Sequence, residues 1–100
     1  MPHFLIHNKN DNVGVAITDI KAGEEVEGVY IEDMAKGPKI KAINNIPLGH
    51  KIALSNLKQG DTVIKYGRPI GSAIKEIKIG EHVHVHNIKS NRWGKWRKSQ

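Results

Sequence analysis

Three histidines alternate with two valines near the end of the sequence, at His82, His84 and His86. Alternation with a period of two is typical of a β-strand, so the pattern predicts three imidazoles on one face. Val83 and Val85 would then point into a core. Imidazole transfers protons and binds metals near neutral pH, so the row is a candidate acid–base or metal site.

The spacing of the row limits how it could hold one ion. Side chains two residues apart on a strand are separated by about 6.6–7 Å at Cα, so two imidazoles can converge on one metal with bonds of about 2.1 Å. Three in a row span about 13 Å and would need a bulge to bind together. Two ligands plus a carboxylate from a partner chain is the arrangement we expect. The alternative is a polar strand face whose histidines hydrogen-bond to their neighbours.

Other polar residues lie at predicted strand ends. Lys65 and Tyr66 precede a Gly-Arg-Pro turn, where an ammonium and a phenol could meet an anionic substrate. They could equally be an ordinary exposed lysine and a half-buried tyrosine. His50 could approach the histidine row in space, although spacing alone does not establish it. His7 follows an apolar segment, and we interpret it as structural.

Composition places the chain among small single-domain proteins. It has 100 residues, no cysteine and a net charge of +6. Residues 1–86 carry eleven basic and ten acidic residues, whereas residues 87–100 carry five basic and none acidic. Because the positive charge belongs to the end of the chain, nucleic-acid binding is an unfavoured alternative. No apolar run has the length of a membrane span, so we predict a cytoplasmic protein with no membrane association.

One short pattern recurs three times in the sequence. An aliphatic residue is followed by Lys, any residue, Gly, an acid, any residue and Val, over residues 20–26, 57–63 and 77–83. The pattern predicts a strand, a tight turn at the glycine and a second strand, with the aliphatic residue tucked under the turn. No segment has a long helical period. The sequence therefore predicts a compact all-β barrel or sandwich.

Longer motifs resemble a known family. The stretch Gly60–Gly71 followed by Gly80–Asn87 resembles the N-terminal region of altronate and galactarate dehydratases, and so do Asp11–Ala16 and Ile46–Leu54. That region is a SAF domain, a compact β-clip fold of short strands. The resemblance covers roughly residues 4–93. It implies a SAF domain over residues 1–91. Residues 92–100 are basic and have no apolar periodicity, so we predict a flexible tail there.

The resemblance also implies a reaction. A chain of this length is similar to the small subunits of sulfolactate sulfo-lyases, which work with a large catalytic subunit. The implied chemistry is β-elimination from a 2-hydroxy acid, in which 3-sulfolactate gives pyruvate and sulfite. The dehydratases perform the same step with water as the leaving group. A divalent metal, expected to be iron, would be held mainly by the large subunit.

Roles for individual residues follow from this resemblance. We expect His84 and His86 to act as acid or base, and His82 and His84 to contribute metal ligands. The carboxylate or sulfonate of the substrate would be bound by His50, Lys65, Tyr66 and Asn87. Two alternatives stay open: a small subunit of a hydro-lyase of the dehydratase type, and a stand-alone SAF module that binds a sugar acid. Assembly with further copies of the same chain is also compatible.

Overall fold

The computed structural model of the chain describes residues 2–90, and this range contains nine strands and no helix. The predicted all-β class is therefore confirmed. The predicted tail, residues 92–100, lies outside the described residues. Within residues 2–90, no helix is long and apolar enough to cross a bilayer. The strands are β1 (Phe4–Ile6), β2 (Val13–Ala16), β3 (Glu25–Tyr30), β4 (Lys36–Lys41), β5 (Lys51–Ala53), β6 (Thr62–Lys65), β7 (Arg68–Ala73), β8 (His82–Val83) and β9 (Ile88–Ser90).

The strands form two sheets, and the buried side chains form two clusters, of which the second contains residues from both sheets. The larger sheet has the order β4-β3-β1-β2-β5-β8, and the smaller has the order β6-β7-β9. Phe4, Ile6 and Ile52 are among the fully buried residues of the first core, and Val63, Ile77 and Val83 are among those of the second. Full burial of such a side chain contributes about 1.5–3 kcal/mol, so these two clusters hold the short strands together.

Four segments between strands share one conformation, and we call each of them a corner: residues 17–24, 43–50, 54–61 and 74–81. The corners associate in two pairs through bridges between Ile20 and Ile46 and between Leu57 and Ile77. In each corner the glycine N–H donates to an alanine carbonyl outside that corner. These bonds are Gly23 to Ala42, Gly49 to Ala16, Gly60 to Ala73 and Gly80 to Ala53, with lengths of 2.7–2.9 Å.

The predicted recurring pattern is confirmed in three of these corners. Ile20, Leu57 and Ile77 are each at most 4% exposed, as expected for residues tucked under a turn. Their glycines have φ between 88° and 94°, a region that other residues reach at a cost. The remaining corner, residues 43–50, was predicted only as a turn-rich connector and not as a copy of the pattern, and it is the one that carries His50.

Candidate metal centre

The histidine row is not one continuous strand. β8 ends at Val83, and residues 84–87 form a turn that leads into β9. Val83 is buried as predicted, but the prediction for Val85 is wrong, because that side chain is 78% exposed. A period of two in five residues cannot distinguish a strand from a strand that runs into a turn.

Asn87 is the residue that closes this turn. Its Oδ1 accepts the N–H of His84 at 2.9 Å, and its Nδ2 donates to the carbonyl of His82 at 2.8 Å. A second Nδ2 contact reaches Oε2 of Glu81 at 3.5 Å. The side chain is fully buried. The expected role of Asn87 in substrate binding is therefore corrected: it exposes no atom to a small molecule and instead positions two histidines.

We predict that Asn87→Ala destabilises the domain by about 2–4 kcal/mol, because it leaves buried backbone groups without partners. Urea denaturation measures this loss. Asn44→Ala is the matched control, since Oδ1 of Asn44 accepts a single hydrogen bond, from the N–H of His82 at 2.9 Å. We expect Asn44→Ala to cost about 1 kcal/mol. Equal losses for the two variants would contradict the role of Asn87.

Strand pairing brings His50 to the row. β5 and β8 are antiparallel, with Ile52 opposite His82 and Lys51 opposite Val83. The next position outward sets His50 opposite His84, and their ring centroids are 4.2 Å apart. Nδ1 of His50 also lies 2.9 Å from Nε2 of His82, within hydrogen-bond distance. Three imidazoles from two strand ends therefore stack together, and we call them the histidine trio.

His50 stands where the other corners have an acid. In those corners a carboxylate accepts the N–H of the lysine three residues earlier, at 2.8–3.0 Å: Glu24 from Lys21, Asp61 from Lys58 and Glu81 from Lys78. The equivalent residue here is Pro47, which has no N–H to satisfy. Position 50 needs no carboxylate and is free to carry an imidazole. Ala42, Ile46 and Gly49 have the same spacing as the equivalent residues of the other corners. This spacing is the sequence signal that could have revealed the fourth corner.

The trio has the donor set of a metal site. The three ligand nitrogens of His50, His82 and His84 lie within 4.8 Å of one another. Two bonds of about 2.1 Å hold nitrogens at most about 4.2 Å apart, so modest side-chain rotation brings all three onto one ion. Three imidazoles that leave a further position open are typical of catalytic metal sites.

The electrostatics favour the neutral imidazoles that bind metals. Desolvation lowers the pKa of His82, and the neighbouring His50, His86 and His84 lower it further. The pKa of His84 is lowered by desolvation, then by His50, Lys51 and His86. Because metal ions bind unprotonated imidazole, both shifts keep the ligands ready at neutral pH.

His86 lies beside the trio and outside it. Its ring centroid is 5.2 Å from that of His82, and its side chain is exposed on the turn. It is not one of the three residues whose nitrogens converge. An imidazole next to a metal site but not committed to it is suited to acid–base work.

One lysine borders the trio, and it was not predicted as a site residue. Lys51 follows His50 and is half-buried, and its pKa is lowered by burial and by the charge of Lys65. Lys65 ends β6, and its Nζ lies 5.0 Å from the ring centre of Tyr66. Tyr66 itself contacts His7 rather than the trio. The structure thus groups His50, His82 and His84 directly, and Lys65 and Tyr66 lie beyond Lys51.

A small all-β fold with three converging imidazoles on one of its sheets defines the class of this protein. The particular family is equally clear. The family model for the altronate/galactarate dehydratase SAF domain matches residues 2–91. The chain belongs to this family.

Characterised relatives are of two kinds. Altronate dehydratase of Bacillus subtilis is 45% identical over 91 residues, which cover 91% of this chain but only 17% of that enzyme. The (2R)-sulfolactate sulfo-lyase subunit alpha of Chromohalobacter salexigens is 40% identical over 91 residues, 90% of this chain and 96% of that subunit. The subunit alpha of Paracoccus pantotrophus is 51% identical over 55 residues, 55% of this chain and 82% of that subunit. The chain is therefore similar to nearly the whole of a lyase subunit and to a small part of a dehydratase.

Proposed function

We propose that this chain is the small subunit of a two-component lyase that catalyses β-elimination from a 2-hydroxy acid. The proposed substrate is 3-sulfolactate, which would give pyruvate and sulfite. The observation that carries the proposal is the match along 96% of a sulfolactate sulfo-lyase subunit alpha. The histidine trio supports it, because such an elimination needs a cation to stabilise the developing enolate.

The proposed cofactor is a divalent metal, with iron as the first candidate. His50, His82 and His84 would hold it on this chain, and the large subunit would complete the coordination. Imidazole is a suitable ligand for iron and for other divalent transition metals. When bound, the metal would act as a Lewis acid on the oxygens of the substrate. The expectation that the partner holds most of the metal is thus revised within the proposal.

The other residues of the site supply proton transfer and binding. His86 would remove the C2 proton, and the electrons of that C–H bond would form the C2–C3 double bond. Sulfite would leave with the electrons of the C3–S bond, and the resulting enol would tautomerise to pyruvate. Lys65 and Tyr66 would bind the carboxylate or sulfonate of the substrate. In this proposal His84, expected to act as acid or base as well as ligand, would serve as a ligand.

The test is reconstitution with a large subunit that corresponds to the part of altronate dehydratase beyond this domain. We expect the two chains to co-purify and the complex to release sulfite from 3-sulfolactate only when iron is supplied. Each chain alone should be at least about 100-fold less active, because each holds only part of the site. Sulfite release by the large subunit alone at the rate of the complex would contradict the proposal.

A hydro-lyase of the dehydratase type is the second candidate. The observation in its favour is the 45% identity to altronate dehydratase, which exceeds the 40% identity to the subunit alpha that is matched along nearly its whole length. Incubating the same complex with altronate and with galactarate separates the two. Dehydration of a sugar acid without sulfite release would replace the first candidate by the second. Tight binding of a sugar acid by the isolated chain, with no turnover in any complex, would favour a stand-alone binding module.

A further inference from the structure

The turn after β6 holds a tyrosine in an unusual backbone conformation. Tyr66 has φ 59° and Gly67 has φ 70°. The left-handed region costs a residue with a Cβ about 1–2 kcal/mol, and glycine or asparagine would occupy it more easily. Asp11, which is 8% exposed, accepts the N–H of Tyr66 at 2.9 Å and that of Gly67 at 2.7 Å. A buried carboxylate thus clamps a strained turn whose tyrosine side chain is 57% exposed.

The exposed ring of Tyr66 is fixed from two sides. Its Oη lies 3.1 Å from Nε2 of His7, and the two ring centroids are 4.0 Å apart. Lys65 Nζ lies 5.0 Å from the ring centre on the same turn. Burial, and then the charge of Lys65, lower the pKa of His7 against an opposing contribution from Asp11. A neutral imidazole can donate its Nε2–H to the phenol oxygen, which leaves the phenol O–H free to donate to a ligand.

Lys51 lies on the same side of the larger sheet as this turn. Directly opposite residues share a sheet face, and the strand registers give one continuous row across five strands: Val29, Leu5, Val15, Lys51 and Val83. Val83 of this row and Val63 of β6 belong to the same buried cluster, so β6 packs against this face. β6 crosses the start of β2 where Asn12 N–H donates to the carbonyl of Ile64 at 3.2 Å. Lys65, the next residue and the last of β6, therefore lies beside β2. Lys51 is also next to β2, because it is paired with Val15.

Strand pairing thus brings Lys51 of β5 and Lys65 at the end of β6 to the same side of the larger sheet. No ion pair involving Lys51 or Lys65 is found among residues 2–90. Like charges on one surface repel each other, and an anion bound between them would offset that repulsion.

We propose that Lys51, Lys65 and the hydroxyl of Tyr66 form a subsite for the carboxylate or sulfonate of a short organic acid, and that His7 is the positioning residue that orients Tyr66. The inference rests on the proposed function and deepens it. It adds Lys51 and His7 to the residues of the site and assigns them to the acid group of the substrate rather than to the reacting carbon. Lys51 directly follows His50 and is paired with Val83, between His82 and His84, so the subsite adjoins the trio.

Binding to the full chain tests the subsite without any turnover. Two probes, succinate and sulfoacetate, are titrated against the labelled protein, and affinity is read from backbone amide shifts in β5 and β6. We expect Lys51→Met and Lys65→Met each to weaken binding at least about fivefold, since each removes one charge–charge contact. Tighter binding of sulfoacetate would identify sulfonate as the preferred group, and tighter binding of succinate would identify carboxylate.

Matched variants separate the subsite from general positive charge. Lys75→Met removes an exposed lysine of the corner at residues 74–81 and should leave affinity unchanged. Tyr30→Phe should do the same, because Tyr30 also has a lysine near its ring, Lys9 at 5.8 Å, but packs against the first core. Equal loss of affinity in Lys51→Met and Lys75→Met would overturn the proposal, because the chain would then attract anions only through its net charge.

The positioning role of His7 is tested by a measurement that a purely structural role would not affect. Tyr66→Phe and His7→Ala should weaken probe binding by similar factors, and the double variant should be no weaker than either. His7→Gln, which can still donate a hydrogen bond to the phenol, should recover most of the affinity. Additive losses, or a Gln variant as weak as Ala, would overturn the positioning role. Tyr66→Asn, which suits a positive φ, should raise Tm while weakening binding.

Kinetics in the reconstituted complex distinguish this inference from the proposed function. We expect Lys51→Met to raise KM at least about fivefold with a much smaller change in kcat, because the subsite binds and does not react. An active wild-type complex in which Lys51→Met leaves KM unchanged would overturn the subsite alone. A wild-type complex with no elimination activity, together with intact probe binding, would overturn the proposed function and leave the subsite as an anion-binding site.

Discussion

Replacing His84 by alanine is expected to lower the affinity of the chain for a divalent metal by at least about 100-fold. The trio has only three imidazoles, and His84 is the ring that stacks on His50 at 4.2 Å. In the reconstituted complex, turnover should also fall at least about 100-fold, since several kcal/mol of transition-state stabilisation depend on the metal. Calorimetric titration with Fe²⁺ under anaerobic conditions, or with Co²⁺ as a spectroscopic probe, measures the first effect.

The control for this prediction uses the rule found in the corners. The double variant Pro47→Lys with His50→Gln restores a lysine N–H and a side-chain oxygen to accept it, as in the other three corners. Glutamine is a poor metal ligand compared with imidazole. We expect the double variant to fold with nearly wild-type Tm and to lose metal binding as His84→Ala does. Wild-type metal affinity in either variant would show that the trio is not the metal site.

The second large effect concerns the glycine of the corner at residues 74–81. Gly80 has φ 88°, and a Cβ at this position would overlap the backbone carbonyl oxygen of Lys41. The backbone at Gly80 cannot shift without weakening a second hydrogen bond, because the Gly80 carbonyl accepts the N–H of Ile43 at 2.9 Å. Gly80→Ala should therefore destabilise the domain by at least about 3 kcal/mol. Urea denaturation, with the midpoint and slope compared with those of the wild type, measures this change.

Gly60 is the matched control for Gly80. It occupies the same corner position and has nearly the same φ, 94°, but a Cβ there would meet no atom within 4 Å apart from those of its chain neighbours. Gly60→Ala should lower the free energy of unfolding by about 1 kcal/mol. The strain of alanine in the left-handed region is partly offset, because alanine reduces the conformational entropy of the unfolded chain. The difference between the two variants isolates the steric overlap. Similar destabilisation in both would mean that backbone strain, and not the contact with Lys41, is what requires Gly80.

The sequence by itself determined the class of fold and three of the four corners. Ile20, Leu57 and Ile77 could be placed under their turns because each stands at a fixed distance from a glycine, and local spacing is sufficient for a turn. The corner at residues 43–50 was not recognised from the sequence, because Pro47 and His50 stand where the recurring pattern has a lysine and an acid. The same two substitutions that hide this corner from the sequence pattern are the ones that free position 50 for an imidazole.

The sequence also identified the histidine row, but only the tertiary structure decided how it is used. The row was predicted as one strand with Val85 buried. In the structure the side chain of Asn87 hydrogen-bonds to the carbonyl of His82 and the N–H of His84, and the chain turns there. The third imidazole of the trio comes from 32 residues earlier in the chain than His82. Its position depends on the register of β5 against β8, which hydrophobic alternation does not fix for strands of two and three residues.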